Sequence, residues 1–183
     1  LGEGVSAPNG VLVAQFNADM LDGQHAADIG GLGTIWLNAI DSIRTQGTGA
    51  NGVAGPGSSK SYYVTMPDGS DTAYSWTLAV PQGWGTASVR VAVYAEVGGT
   101  GNVWLEHCTN HVHEGENSGT VTETVSGEQI AVWSNLGIKV LSPTFTMGAE
   151  GCLQRVAIRR RSSYSQDNCS GTINLYGLQL IKV

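Results

Sequence analysis

The sequence predicts an all-β protein, an antiparallel two-sheet sandwich of jelly-roll type preceded by a short extended or helical N-terminal segment. Three observations predict it. The 183-residue chain carries 26 glycines, 41% hydrophobic residues and only 13% charged ones, about twice the usual glycine and half the usual charge. From residue 62 onward, apolar side chains alternate with polar ones at period two. Clusters of Gly, Ser and Asn punctuate the alternating runs. The chain is too apolar to be disordered throughout, and no run approaches the ~18 apolar residues of a membrane-spanning helix.

The first 60 residues read as a separate segment. Leu32, Trp36, Ile40 and Ile43 stand at spacings of four, four and three, a helical stripe that Gly47 would stop. A helix this short is not stable alone in water and needs a surface to cover it, either the domain behind it or copies of itself. Residues 47–59, GTGANGVAGPGSS, read as linker. Its Gly47-x-Gly49-x-x-Gly52 spacing matches the dinucleotide fingerprint but lacks the strand before it and the helix after it.

Residues 61–183 supply the sandwich. Trp76, Leu78 and Val80 alternate with Ser75, Thr77 and Ala79. Ser88 to Val97 puts Val89, Val91, Val93, Ala95 and Val97 on one face and Arg90, Tyr94 and Glu96 on the other. Gly98 to Gly101 has hairpin length, and Val103, Leu105 and His107 continue the alternation. Shorter runs follow at Thr120 to Ser126 and Gln129 to Trp133, split by a Ser-Gly turn. Gly137 to Met147 changes phase around Pro143, as a bulged strand would. Leu153 to Arg161 turns Val156 and Ile158 inward and Arg155, Arg159 and Arg161 outward, and Thr172 to Val183 shifts phase at Gly177.

Charge is uneven. Residues 1–150 hold four Lys/Arg against fourteen Asp/Glu, and residues 151–183 hold five basic side chains against Asp167 alone, for a net of −6. An acidic chain disfavours nucleic acid as a partner. The basic run around Arg155 to Arg161 reads as a strand salt-bridged to acidic neighbours. Cys108, Cys152 and Cys169 make an odd number without metal-type spacing. Cys152 and Cys169 bracket a strand that would hold them well beyond disulfide reach, so no disulfide framework is expected. The chain begins at Leu1 without a signal-like segment, and reads as a processed product or a piece of something longer.

Asn17-Ala18-Asp19-Met20-Leu21-Asp22-Gly23-Gln24-His25-Ala26-Ala27-Asp28-Ile29 resembles the "NADxLDGxHAxDF" segment of phage tail fibres and related virion proteins, departing where Ile29 replaces Phe. Tyr74 to Pro81, YSWTLAVP, and Leu175 to Ile181, LYGLQLI, also look like strands of a virion jelly-roll module. The resemblance implies a homotrimeric fibre-like appendage, a tail fibre or a capsid decoration, exposed on the virion surface after assembly in the bacterial cytoplasm. Its partners would be its own copies, other virion proteins and host surface glycans. The trimerising residues would be Leu21, Asp22, Gly23 and His25, joined by the stripe of Leu32, Trp36, Ile40 and Ile43.

Candidate chemistry is sparse. His111-x-His113 on a strand presents both imidazoles to one face, and imidazole is the commonest ligand of transition metals. The pair is similar to the His-x-His pairs of T-even long tail fibre tips, which implies an axial transition metal shared by three copies; no other cofactor is expected. Trp84, between two glycines, is expected to be exposed, and Trp104 to lie opposite Val103 and Leu105. Exposed indoles stack on sugar rings, so both are candidate glycan contacts, while Trp76 is expected in the core. No nucleophile elbow, phosphate-binding loop or zinc-protease motif is present, and no enzyme is expected. A rival reading is a monomeric carbohydrate-binding module of a secreted bacterial protein, with residues 1–60 as its linker.

Overall fold

Two antiparallel sheets face each other across a core of Val, Leu, Ile and Met, as the alternation predicts. The computed structural model describes residues 33–54, 61–116, 121–133 and 135–183. Leu21, Asp22, Gly23, His25 and Leu32 lie outside these. Eleven strands are described: β1 (Thr34–Asn38), β2 (Ile43–Gln46), β3 (Asn51–Ala54), β4 (Ser61–Met66), β5 (Thr72–Ala79), β6 (Ser88–Val97), β7 (Asn102–Val112), β8 (Thr124–Ala131), β9 (Gly137–Thr146), β10 (Leu153–Arg160) and β11 (Ile173–Lys182). One sheet runs β3-β4-β11-β6-β9, with β1 also on β11, and the other runs β2-β5-β10-β7-β8. The architecture is the expected jelly-roll sandwich.

The helical stripe is corrected. Thr34–Asn38 is a strand, Ala39–Asp41 a single 3-10 turn, and Ile43–Gln46 a second strand in the opposite sheet. Leu37 and Ala39 enter the core, Trp36 lies on the outside of one sheet, and Ile43 is exposed on the other. Trp36 and Ile43 therefore lie on different sheets, and the described part of the stripe is not one helical face. Asn51–Ala54, within the expected linker, pairs with β4. The two sheets thus begin before residue 61, drawing on the segment read as separate.

The β6–β7 connection also differs. It crosses from one sheet to the other rather than closing a hairpin, because β6 pairs with β11 and β9, and β7 with β10 and β8. Glycine is needed at this crossing. A Cβ on Gly171 would overlap the Gly98 carbonyl oxygen, and Gly99 and Gly101 hold φ of 89° and 103°. Thr124–Ala131 is one continuous strand through Gly127, not two runs split by a turn. The phase changes are where the sequence places them. The β6–β9 register shifts between Arg90 and Ala92, opposite the Pro143 region, and the β6–β11 register shifts between Leu175 and Gly177.

His107 faces the core from β7, fully buried, with its ring 5.6 Å from that of Phe145. Neither ring nitrogen has a partner in good hydrogen-bonding geometry among the described residues. Burial pushes the imidazole below its usual value of 6.5, against the Pro143 carbonyl, which favours the charged form. The sign of the effect on stability follows. The native ring stays neutral while the unfolded ring takes up a proton, so stability falls as pH drops below about 6.5. Urea midpoints between pH 7.5 and 5 are expected to decline less steeply in His107→Leu than in the wild type. Equal slopes would show that His107 contributes nothing to acid sensitivity.

Candidate functional site

The outer face of the β3-β4-β11-β6-β9 sheet carries an aromatic cavity of about 340 Å³ lined by Trp36, Asn38, Ile40, Tyr62, Tyr94, Leu136 and Tyr176, among others. Alternation puts part of it there. Val93 and Ala95 point into the core, so Tyr94 and Glu96 point out. The remainder comes from a switch of partners on β11. β4 pairs with Ile173 to Leu175, and β1 pairs with Gly177 to Ile181 along the same edge. The gap between them opens beside Tyr176. Gly177 is bare where Trp36 lies across it: a Cβ there would stand 2.6 Å from the Leu37 oxygen and 2.9 Å from the Trp36 ring.

The rings are held in place. Trp36 meets Tyr94 edge-on at 4.3 Å between centroids, and its indole N–H donates to Asn38 Oδ1. The Tyr94 hydroxyl donates to Gln179 Oε1 at 2.9 Å. Tyr176 packs against Tyr63 at 5.5 Å and donates to Glu96 Oε1 at 3.3 Å, and that carboxylate also accepts from Asn174 at 2.8 Å. Burial, then the Glu96 charge and hydrogen bond, push the Tyr176 phenol up, so it keeps its proton. Trp36 is 43% exposed, Ile40 63% and Leu136 59%. A half-exposed indole with fixed phenols and amides beside it suits a ligand that has an apolar face and hydroxyl edges.

The two tryptophans singled out from the sequence do not join this cavity. Trp84 is fully buried, correcting the expectation of exposure: its turn folds inward and the indole packs into the core with Val80 and Met147. Trp76 is buried as expected. Trp104 does lie opposite Val103 and Leu105, half-buried on the outer face of the other sheet. There its indole N–H donates to Glu106 at 2.9 Å and its ring is covered by Tyr164 at 5.0 Å. Around it Arg159 pairs with Glu106, and Arg161 with Asp71, at 2.8 Å each. Arg159 and Arg161 are thus salt-bridged, as the sequence indicates for this strand.

Arg160 departs from its outward neighbours Arg159 and Arg161. Continuing the alternation of Val156 and Ile158, it turns inward and is fully buried. It makes two bonds to Asp167 at 2.9 Å and reaches the carbonyls of Met66, Cys169 and Gly171 at 3.1, 2.6 and 2.6 Å.

His111 and His113 share one face, with rings 5.2 Å apart, as their spacing requires. Cys152 Sγ stands 2.7 Å from His113 Nδ1. Among the described residues no group of three or more His, Cys, Asp or Glu side chains is placed to hold a metal ion. All three cysteines are free and buried. Burial pushes the Cys108 thiol up to about 11.

No family model and no curated sequence matches the chain. Among solved structures, the fold is similar to a family 35 carbohydrate-binding module from Clostridium thermocellum, at TM-score 0.54 and 12% identity, over 82% of this chain and 98% of that one. A family 35 module from Paenibacillus barcinonensis aligns at TM-score 0.53 and 16% identity over the same shares of each chain. So does the CBM36-1 domain of a xylanase from the hindgut metagenome of Trinervitermes trinervoides, at TM-score 0.53 and 9% identity.

Proposed function

We propose that this chain is the non-catalytic, glycan-binding head of a trimeric phage virion appendage, displayed on the virion surface. The observation that carries the binding role is the cavity on the outer sheet face, where Trp36, Tyr94 and Tyr176 surround a space of sugar-ring dimensions. The likeness of the fold to carbohydrate-binding modules supports the same role. The virion placement rests on the resemblance of Asn17 to Ile29 to tail-fibre segments. Because Trp36 and Ile43 lie on different sheets, trimerisation in this reading falls to the residues before Gly33 and to contacts between heads. An axial metal on His111 and His113 would then draw on three copies, since the described residues of one chain bring no third ligand to them.

Native mass spectrometry of the 183-residue chain, with and without a chelator, tests the assembly. The expected species is a trimer of the 19.1 kDa chain. One chelatable metal per trimer would assign it to the axis. A glycan array tests the binding role. A monomer that binds glycans would favour the second reading, a carbohydrate-binding module of a secreted bacterial protein, which the fold likeness also supports. A trimer that binds none would leave a purely structural appendage.

A further inference from the structure

The cavity also bears on which sugars it would take, an inference that rests on the glycan-binding reading. Among the described residues that line it, none is charged. The hydroxyl protons of Tyr94 and Tyr176 are already used by Gln179 and Glu96. What these two phenols can still offer a ligand is acceptor lone pairs. Asn38, whose oxygen takes the Trp36 indole proton, has its two amide protons to give. The Glu96 carboxylate adds a negative charge at the Tyr176 hydroxyl.

We infer that the Trp36–Tyr94–Tyr176 cavity selects neutral, hydroxyl-rich sugars and rejects sugars that carry a carboxylate. A neutral pyranose can donate hydroxyl protons to both phenols, accept from Asn38 and lay an apolar ring face on Trp36. A uronic or sialic acid brings a charged, acceptor-only group beside the Tyr94 and Tyr176 lone pairs and the Glu96 carboxylate, where the described lining meets it with the neutral donors of Asn38, Ser61 and Tyr62. Among the described residues of the wall, no cation compensates it. Selection against the acid comes from leaving a desolvated charge unpaired, which discriminates more strongly than a missing apolar contact.

The test is a printed array of matched neutral and acidic oligosaccharides that differ only at C6, such as galactose and galacturonic acid oligomers or glucose and glucuronic acid oligomers. The strongest pair is then titrated in solution. At least one neutral member is expected to bind ten or more times tighter than its acidic partner, with Trp36→Ala losing that binding. Glu96→Gln is expected to narrow the neutral-to-acid ratio severalfold. An acidic member bound as tightly as its neutral partner would overturn the inference and leave glycan binding standing. No binding to any pair would overturn the glycan reading and the inference with it.

Discussion

Replacing Arg160 with methionine is expected to lower the unfolding free energy by about 3–5 kcal/mol, the usual cost of breaking a buried ion pair from one side. Methionine approximates the aliphatic stem but supplies none of the five N–H donors. The substitution would leave the Asp167 carboxylate, with its side chain wholly buried, without its counter-charge, and the carbonyls of Met66, Cys169 and Gly171 without this donor. Those acceptors come from the end of β4 and from the loop before β11, so Arg160 ties three chain segments together at one end of the sandwich. Urea unfolding at pH 7 measures the loss. Arg160→Met with Asp167→Leu should recover part of it, because the stranded charge is gone. A loss below about 1 kcal/mol for the single variant would show that water enters and replaces the guanidinium.

Replacing Trp36 with alanine is expected to weaken glycan binding by thirtyfold or more, the scale of a central aromatic contact worth about 2 kcal/mol. The ring is the exposed platform of the cavity, and its removal also frees the edge of Tyr94. Stability should change little by comparison, since the side chain is only partly buried. Trp104→Ala is the control. That indole sits on the other sheet beneath Tyr164, with its N–H used by Glu106, and glycan affinity should stay within about threefold. Isothermal titration with an array-selected oligosaccharide reads both variants. A Trp36→Ala protein that binds like the wild type would remove the cavity from the function.

The two-sheet fold was legible because half-buried strands write their period into the sequence, and β6 and β10 do so cleanly. The segment around Trp36 misled because two periods overlap in it. Leu32, Trp36, Ile40 and Ile43 satisfy helical spacing, while Ile35, Leu37 and Ala39 satisfy strand spacing over the same stretch. Burial follows the second set, as pairing with β11 supplies partners that a lone helix would lack. Trp84 misled for a different reason. Flanking glycines mark a turn, but whether a turn folds over the open end of a sandwich depends on distant residues such as Met147. The cavity was illegible as a unit. Tyr94 was placed on the outward face correctly, but Trp36 and Tyr176 meet it only through the change of partner along β11, a long-range pairing with no local signature.

The pairing of β1 with β11 has a mechanical consequence. Thr34 lies opposite Ile181, and the Lys182 N–H donates to the Gly33 carbonyl at 2.6 Å, so the chain enters this region beside where it leaves. The cavity lies at the far end of β1, past Asn38. If a bound surface pulls on the cavity while the protein is tethered through residues before Gly33, the force runs along β1. It then loads the rungs between β1 and β11 together, in shear. Pulling Gly33 and Val183 apart would instead unzip the same rungs one after another. The sandwich therefore resists a load applied between the cavity and Gly33 better than one that draws Gly33 and Val183 in opposite directions.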